Sequence, residues 1–220
     1  LDRTVRCPAY CAAMAPSTQP AQDDFAALLD RVRACDHCAA HLPLGPRPVV
    51  RAARSARLMI VGQAPGTKVH ESGIPWNDAS GNRLRDWLDI DPETFYDDSL
   101  IAIVPMGFCY PGVNPKGGDN PPRPECAPLW HKPLIEGLDN IELTLLVGQY
   151  AQHFYLGKTR QKTMTETVRA FRDYLPDYLP TPHPSWRTTH WQKKNPWFEA
   201  EVLPELRRLV HRLLKKGPAA

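Results

Sequence analysis

Four cysteines form the set of residues best suited to bind a metal. Cys35 and Cys38 make a close pair, and Cys109 and Cys126 make a second, more widely spaced pair. Thiolates with this kind of spacing can converge on one metal centre. Both zinc and an iron–sulfur cluster accept four thiolate ligands. The spacing therefore predicts a metal site and leaves these two occupants open.

A glycine-rich turn is the second chemically suggestive stretch. Residues 58–61 read LMIV, a short apolar run typical of a buried strand, and GQAPG follows. Ligands of open α/β sheets bind beyond the carboxyl ends of the strands, and glycines allow the backbone to approach a ligand closely. The alternative is a tight turn without a ligand. We expect a site lined by Gly62, Gln63, Ala64, Pro65 and Gly66.

A third stretch, TPHPSWR at residues 181–187, also follows a short strand-like run. Its histidine, His183, can hold or donate a proton, and Trp186 and Arg187 can contact bases and phosphates. A single histidine is more often structural. Its position after a strand instead favours a role in the site.

The VGQAPG and HPSWR motifs, in this order and together with the cysteine pattern, resemble the uracil-DNA glycosylase superfamily. The chain is most similar to family 4, the iron–sulfur type, and its bacterial relatives, from about Cys35 to the C-terminal helix. The resemblance implies a three-layer α/β/α fold around a four-stranded parallel sheet. It also implies a monofunctional DNA repair enzyme that flips a deaminated base, uracil first, and hydrolyses its N-glycosidic bond to leave an abasic site.

The resemblance further implies a 4Fe–4S cluster on Cys35, Cys38, Cys109 and Cys126, with Zn²⁺ as the alternative. We expect this cluster to tie the N-terminal segment and a long loop to the sheet rather than to take part in redox catalysis. His37 and His41 are less suitable ligands, because they read as surface residues.

The same resemblance assigns roles in a base pocket. His183 would donate a hydrogen bond to the departing uracil, and Trp76, after Pro75, would replace the family's stacking phenylalanine. Candidate catalytic residues are His183, Gln63, Asp78 and His70, and further substrate contacts are Trp76 and Asn77. Asp78 is preferred over His70 and Glu71 for positioning water, although it could merely cap a helix.

DNA contacts are expected from a run that mixes cations with aromatic rings, RTTHWQKKNPW. Such a mixture suits phosphate contact and base stacking, although a solvated charged surface would look the same. The expected contacts are Ser185, Trp186, Arg187, Lys193 and Lys194, with Lys116 and Arg123 as further candidates.

Three positions depart from the family 4 pattern. Gln63 stands in place of a glutamate, Ala64 in place of the water-activating aspartate of the most active relatives, and Pro105 in place of the asparagine that reads uracil. Pro105 favours another lesion, hypoxanthine or xanthine, as the near alternative, with base reading by Asn77, Asn114 or the backbone. Gln63 and Ala64 favour a non-catalytic nucleic-acid-binding protein. A purely structural zinc protein is a further alternative.

Alternating strand and helix patterns predict a parallel sheet covered by helices. The expected strands are residues 57–62, 100–104, 143–147 and 178–181. The expected helices are residues 23–33, 80–88, 124–137, 150–155, 163–174 and 196–215, the last kinked at Pro204.

Length and composition predict one domain at residues 22–216, a tail at 217–220, and a loosely attached extension at 1–21, of which 1–13, with Cys7 and Cys11, would be non-native. There is no apolar run that could span a bilayer and no signal peptide, so six cysteines point to a reducing compartment. The net charge of +3 is only mildly basic. We expect a cytoplasmic, nucleoid-associated monomer whose partner is DNA containing a damaged base.

Overall fold

The computed structural model describes residues 19–219, with side chains from residue 24 onward. Four strands form one sheet: β1 (Leu58–Val61), β2 (Ile101–Ile103), β3 (Leu143–Val147) and β4 (Tyr178–Thr181). All neighbours are parallel, in the order β2-β1-β3-β4. The predicted four-stranded parallel sheet is therefore confirmed.

The strands are apolar because both faces of the sheet are covered. Successive side chains of β1 point to opposite faces, so Leu58 and Ile60 join one buried cluster while Met59 and Val61 join the other. A parallel sheet covered on both faces gives continuous apolar runs rather than alternation, which explains why the strands could be predicted from LMIV-like segments.

Helices form the outer layers. The first cluster also contains side chains of α3 (Ala79–Leu88), α7 (Met164–Arg169) and α9 (Leu203–Lys215). The second contains side chains of α1 (Gln19–Arg33), α5 (Cys126–Gly137) and α6 (Gln149–Leu156). The predicted three-layer α/β/α fold is confirmed. None of the helices within residues 19–219 combines the length and apolar character needed to cross a membrane.

Three short helices were not expected: α2 (Thr67–Ser72), α4 (Pro92–Phe95) and α8 (Thr188–Lys194). Each is too short to show an apolar period. The start of α4 is nevertheless encoded locally, because the Asp91 carboxylate accepts from the backbone N–H of Thr94 and proline occupies the first turn.

Two predicted helices have different limits. The expected helix at 163–174 ends at Arg169 and is followed by a 3-10 turn, Phe171–Tyr174. The expected helix at 196–215 is a π turn, Phe198–Val202, followed by α9. Pro204 lies in the first turn of α9, where its missing N–H costs no helical hydrogen bond, so the expected kink is replaced by a helix start.

The long loop after β2 contains a small hairpin. Val113 and Asp119 form an antiparallel bridge, and the backbone N–H of Asn114 donates to the carbonyl of Gly118. Gly117 and Gly118 have φ angles of 92° and 84°, which supply the left-handed turn. Residues 112–120 therefore have a defined shape inside a segment expected to be irregular.

The extension expected at residues 1–13, with Cys7 and Cys11, lies outside the described residues. Helix α1 begins at Gln19, four residues before its expected start.

His131 on α5 is fully buried beneath the end of β2. One ring nitrogen, Nε2, lies 2.9 Å from the carbonyl oxygen of Pro105, and Nδ1 lies 2.8 Å from the hydroxyl of Tyr155. A carbonyl only accepts, so Nε2 carries the proton and Nδ1 accepts from the tyrosine. Burial lowers the pKa of His131 to about 4, which keeps the ring neutral.

We predict that His131→Gln removes part of the acid sensitivity of the fold. The folded state resists protonation of His131 down to about pH 4, whereas the unfolded chain binds that proton below about pH 6.5. The wild-type protein therefore loses about 3 kcal/mol through this residue as pH falls across that window. Urea unfolding at several pH values should give His131→Gln a lower stability near neutrality but a shallower loss towards acid.

The exposed His190 provides the matched control, because His190→Gln should reproduce the wild-type pH dependence. Parallel pH profiles for wild type and His131→Gln would contradict the assignment.

Candidate functional site

A cavity of about 550 Å³ opens at the carboxyl edge of the sheet. The turn after β1, the chain after β2 and the chain after β4 all reach it, because parallel strands end at one edge. The start of α3 and the 112–120 hairpin complete its walls. Its lining includes Gly62, Gln63, Ala64, Pro65, Gly66, Trp76, Asp78, Pro105, Asp119, His183, Ser185, Trp186 and Arg187.

Trp76 has an unusual backbone conformation, with φ at 57°. This region is rare for a bulky residue and has to be stabilised by the surroundings. Arg85 on α3 lies 3.4 Å from the Trp76 carbonyl oxygen and donates to the hydroxyl of Tyr96, and that hydroxyl donates to the carbonyl of Pro75. The backbone around the tryptophan is thus held by Arg85 and Tyr96, which do not line the cavity.

Two glycines leave room for this tryptophan. A methyl group on Gly62 would lie 2.7 Å from the ring atom Cζ2 of Trp76, and one on Gly81 would lie 1.7 Å from its carbonyl oxygen. Real Cβ atoms do not approach other atoms so closely. The first glycine of GQAPG therefore serves the packing of the tryptophan ring.

His183 faces the same tryptophan across the cavity. The two ring centroids are 5.6 Å apart with an interplanar angle of 31°. Thr188 donates a hydrogen bond to the His183 carbonyl, and Arg83 donates to the carbonyl of Ser185, so the chain after β4 is fixed by its backbone. Burial lowers the pKa of His183, while the charge of Asp78 acts in the opposite direction. The ring is neutral at neutral pH.

Gln63 braces the turn against the hairpin. Its side-chain Nε2 donates to the carbonyl of Asn120 at 3.3 Å. The carbonyls of Gly62 and Gln63 accept from the N–H groups of Met106 and Gly107. Backbone hydrogen bonds therefore join the turn after β1 to the chain after β2. Neither Gln63 nor Ala64 has an acidic side chain.

The end of β2 offers no hydrogen-bonding group to the cavity at Pro105. Proline lacks an N–H, and its carbonyl oxygen is engaged by His131. The next two N–H groups, of Met106 and Gly107, are engaged by the turn after β1. Recognition of a base edge must come from other parts of the wall.

Two carboxylates face the cavity. Asp78 caps α3, accepting from the N–H of Gly81 at 2.8 Å, and lines the cavity as well. The two roles predicted for Asp78 from the sequence, a helix cap and a residue of the site, are thus compatible. Asp119 was not predicted as a site residue. Partial burial raises the pKa of Asp119, and the charge of Asp78 raises it further, which indicates that the two groups face the same space.

A sequence model of the family described as "Uracil DNA glycosylase superfamily" matches residues 50–207. The chain belongs to this superfamily. Membership indicates a DNA glycosylase acting on DNA. The match runs from the segment before β1 into α9 and includes every cavity-lining residue named above. It includes Cys109 and Cys126 but not Cys35 and Cys38.

Several predicted site residues of this superfamily member lie outside the cavity lining: His70, Asn77, Lys193 and Lys194, and the further candidates Glu71, Asn114, Lys116 and Arg123. His70 is on α2, its ring centroid 6.0 Å from that of Tyr110, and its buried Nδ1 has no hydrogen-bond partner in the described part of the chain. Asn77 is exposed beside the cavity. Lys193 and Lys194 are exposed in the last turn of α8, away from the lining.

Trp186 and Arg187 lie at the mouth of the glycosylase cavity. The Trp186 side chain is 77% exposed, and the Arg187 guanidinium lies 5.4 Å from its ring centroid. Arg187 also passes close to Gly117 and Gly118 of the hairpin. An exposed ring next to a cation is suited to contact unstacked bases and phosphate.

The four cysteine thiols are free and line a second, small pocket, with Phe108 and Arg123 among its other residues. The indole N–H of Trp130 points at Cys35 Sγ (3.3 Å), and the N–H of Phe108 at Cys126 Sγ (3.4 Å). Burial raises the pKa of Cys126 to about 12. Within residues 19–219, no three His, Cys, Asp or Glu side chains form a group that could hold a single metal ion.

We predict that Gly62→Ala and Gly66→Ala differ in their effect on stability. A methyl at Gly62 collides with the Trp76 ring and should lower the free energy of unfolding by about 1–3 kcal/mol. A methyl at Gly66 meets only Asp119, at an ordinary 3.4 Å, and should change it by less than about 0.5 kcal/mol. Chemical unfolding of the two variants checks this. Equal losses would show that the turn, rather than the tryptophan, excludes the side chain.

Proposed function

We propose that this superfamily member is a monofunctional glycosylase that flips a deaminated base, uracil first, into the cavity and hydrolyses its N-glycosidic bond. The observation that carries the proposal is the pairing of Trp76 with His183, whose pKa is lowered by burial, inside one cavity. A stacking surface and a hydrogen-bond donor beside it are what a flipped base requires.

Trp76 binds the face of the base in this proposal. Its ring forms part of the wall, and the bracing by Arg85 and Tyr96 keeps it in place before the substrate arrives. A pre-formed stacking surface lowers the ordering cost of binding. The volume of about 550 Å³ accommodates a base together with its sugar.

His183 acts on the leaving group. When the N-glycosidic bond breaks, both of its electrons stay with the base, and negative charge develops on the ring oxygen. A neutral imidazole N–H can donate a hydrogen bond to that oxygen, and in a partly dry cavity such a donor lowers the barrier considerably. The low pKa of His183 supports the neutral form.

Asp78 acts on the sugar. The sugar becomes cationic as the bond breaks, and a carboxylate stabilises that cation and orients water towards it. One oxygen of Asp78 caps α3, which fixes the carboxylate in the wall while the other oxygen stays available. Gln63 and the GQAPG backbone would hold the base and sugar in register.

Three candidates for the activity follow from these observations, two of which differ in the base that is released. Uracil is the first candidate, because of the superfamily. Hypoxanthine or xanthine is the second, because the end of β2 presents no polar group at Pro105 that could read the uracil edge. The absence of an acid at Gln63 and Ala64 favours the third candidate, a binder without activity.

DNA would be held by residues around the cavity mouth. In the proposal Trp186 fills the gap left by the flipped base, while Ser185 and Arg187 contact the flanking phosphates. Lys193 and Lys194 on α8 extend the cationic surface. We propose that the protein works as a monomer.

We also propose that Cys35, Cys38, Cys109 and Cys126 hold a 4Fe–4S cluster, as in the family 4 type. Their thiols line one pocket, and two N–H groups point at the sulfurs, an arrangement that stabilises thiolates. A single zinc ion needs its sulfurs gathered about 2.3 Å from one point, whereas a cluster offers a separate iron to each thiolate. The resemblance of the cysteine spacing to the family 4 type favours the cluster over zinc. Bound there, it would cross-link the segment after α1 to the chain after β2.

The proposed activity is tested by excision from single- and double-stranded oligonucleotides carrying uracil, hypoxanthine or xanthine, with alkaline cleavage of the abasic product. We expect release of at least one base. His183→Ala should lower the single-turnover rate by about 10²–10³-fold, while the affinity for DNA changes little, because the lost hydrogen bond forms only as the base leaves.

His153→Ala is the control, since His153 is an exposed histidine on α6, outside the cavity lining, and should not affect the rate. Release of hypoxanthine or xanthine but not uracil would change the proposed specificity and leave the proposed mechanism of bond hydrolysis in place. Binding without release from any substrate would favour the non-catalytic binder, and an unchanged rate in His183→Ala would refute the role of that residue.

The cluster proposal predicts a brown protein when it is purified without oxygen, with broad absorption in the blue and about four irons per chain. Cys126→Ala should lose the colour and most of the iron, because a fourth thiolate is missing. Cys11→Ala, at a position for which the sequence predicts no role, should keep both. A colourless protein with one zinc per chain would contradict the cluster.

A further inference from the structure

The 112–120 hairpin fixes the position of Asp119. Its bridge to Val113 ties the two hairpin arms together, and the Asn120 N–H donates to the carbonyl of Gly112 at 2.8 Å. The Asn120 side chain donates to the carbonyl of Pro111, and its own carbonyl accepts from Gln63. Asp119 is thus located at the base of the hairpin, next to the GQAPG turn, rather than at the hairpin tip.

The Asp119 carboxylate faces the cavity from the side of the GQAPG turn. Its Oδ2 lies 3.4 Å from the point where a Gly66 side chain would begin, and the residue is part of the cavity lining. Within residues 24–219 it forms no hydrogen bond or ion pair through its carboxylate, whereas Asp78 uses one oxygen to cap α3. Asp119 is therefore the carboxylate of the cavity that has no structural task.

Charged and titratable groups around Asp119 come from three elements. Asp78 at the start of α3 and His183 after β4 share the cavity, and Arg187 lies beside the neighbouring Gly118. The charge of Asp78 affects both Asp119 and His183. The cavity wall consequently holds two carboxyl groups, the His183 imidazole with its lowered pKa, and the Arg187 guanidinium.

We infer that Asp119 is a second catalytic carboxylate, which acts with Asp78 on the sugar and supplies the acid that residues 63 and 64 lack. The inference rests on the proposed glycosylase function and extends it. The C1′–N bond breaks with both electrons leaving on the base, and the sugar cation forms between the carboxylates and the base. The oxygen of a water then bonds to C1′, and its proton passes to the carboxylate of Asp119.

Electrostatics favours the sugar over the base as the group that Asp119 contacts. The departing base becomes an anion next to the His183 donor, and a carboxylate on that side would raise the barrier by repulsion. At the sugar, the same carboxylate opposes a developing positive charge and can accept a proton from water. A raised pKa of Asp119 is consistent with this second task, because a more basic carboxylate accepts a proton more readily.

The test measures single-turnover release of the base that the wild-type protein excises best, from low to neutral pH. We expect Asp119→Asn to lower the rate by about 10²-fold or more, with Asp119→Glu recovering part of it. The acid limb of the wild-type profile should reflect Asp119 and lie above the ordinary aspartate range, and Asp119→Asn should shift it to lower pH. DNA affinity should be equal or tighter, since a negative charge near phosphates is removed.

Asp173→Asn is the matched control, because Asp173 is exposed in the 3-10 turn Phe171–Tyr174 that precedes β4 and does not line the cavity. It should leave the rate and the profile unchanged. Melting temperatures of both variants within a few degrees of wild type exclude unfolding as the cause of any loss.

Two results would overturn the inference. One is an Asp119→Asn variant with the wild-type rate and acid limb. The other is a variant that changes which base is released without slowing the best one, which would make Asp119 a reader of the base edge. Absence of release by the wild-type protein from every substrate would instead overturn the proposed function, and this inference with it. Activity that is lost in His183→Ala but kept in Asp119→Asn would support the proposed function and overturn the inference about Asp119.

Discussion

The packing of one tryptophan links the separate parts of the site. Trp76 adopts a left-handed backbone conformation, its ring fills the space above Gly62, and its carbonyl occupies the space beside Gly81. The turn after β1, the start of α3 and the chain after β4 meet at this ring. The strain in its backbone is offset by hydrogen bonds from Arg85 and Tyr96, neither of which lines the cavity. The position of the Trp76 ring beside His183 thus depends on Arg85 and Tyr96, which lie outside the cavity.

Around this ring, the hydrogen-bond donor and the carboxyl groups occupy different parts of the cavity wall. The imidazole of His183 is kept neutral by burial, while Asp78 and Asp119 carry the negative charge of the wall. Breaking an N-glycosidic bond produces opposite charges on the base and the sugar, so a wall with a donor in one place and carboxylates in another matches that separation without rearranging. In the proposed mechanism, this match replaces the acid that Gln63 and Ala64 do not provide.

Much of the fold follows from local sequence, because a parallel sheet buried on both faces requires continuous apolar strands such as residues 58–61 and 143–147. The cavity wall at GQAPG and HPSWR could be anticipated for a related reason, since both motifs directly follow strands. Asp119 could not be found in this way. Its place depends on a hairpin inside a segment rich in glycine and proline, and only NPKGGDN hinted at a turn there. His131 was missed because a buried histidine within a helix has no distinctive pattern. Helix α8 was missed because its seven residues contain one large apolar side chain, Trp191, and so show no apolar stripe.

The close contact between Gly81 and Trp76 also bears on how this sequence can change over generations. A side chain at position 81 would collide with the carbonyl of Trp76 at 1.7 Å, and helix α3 by itself would favour alanine there. Substitution at position 81 therefore becomes acceptable only after residue 76 has left its left-handed conformation, and that step alone would remove the packing of the Trp76 ring over Gly62 and beside His183. A lineage that keeps the tryptophan in this conformation must therefore also keep a glycine in the first turn of α3, where the nearest atoms that a side chain would meet belong to that tryptophan.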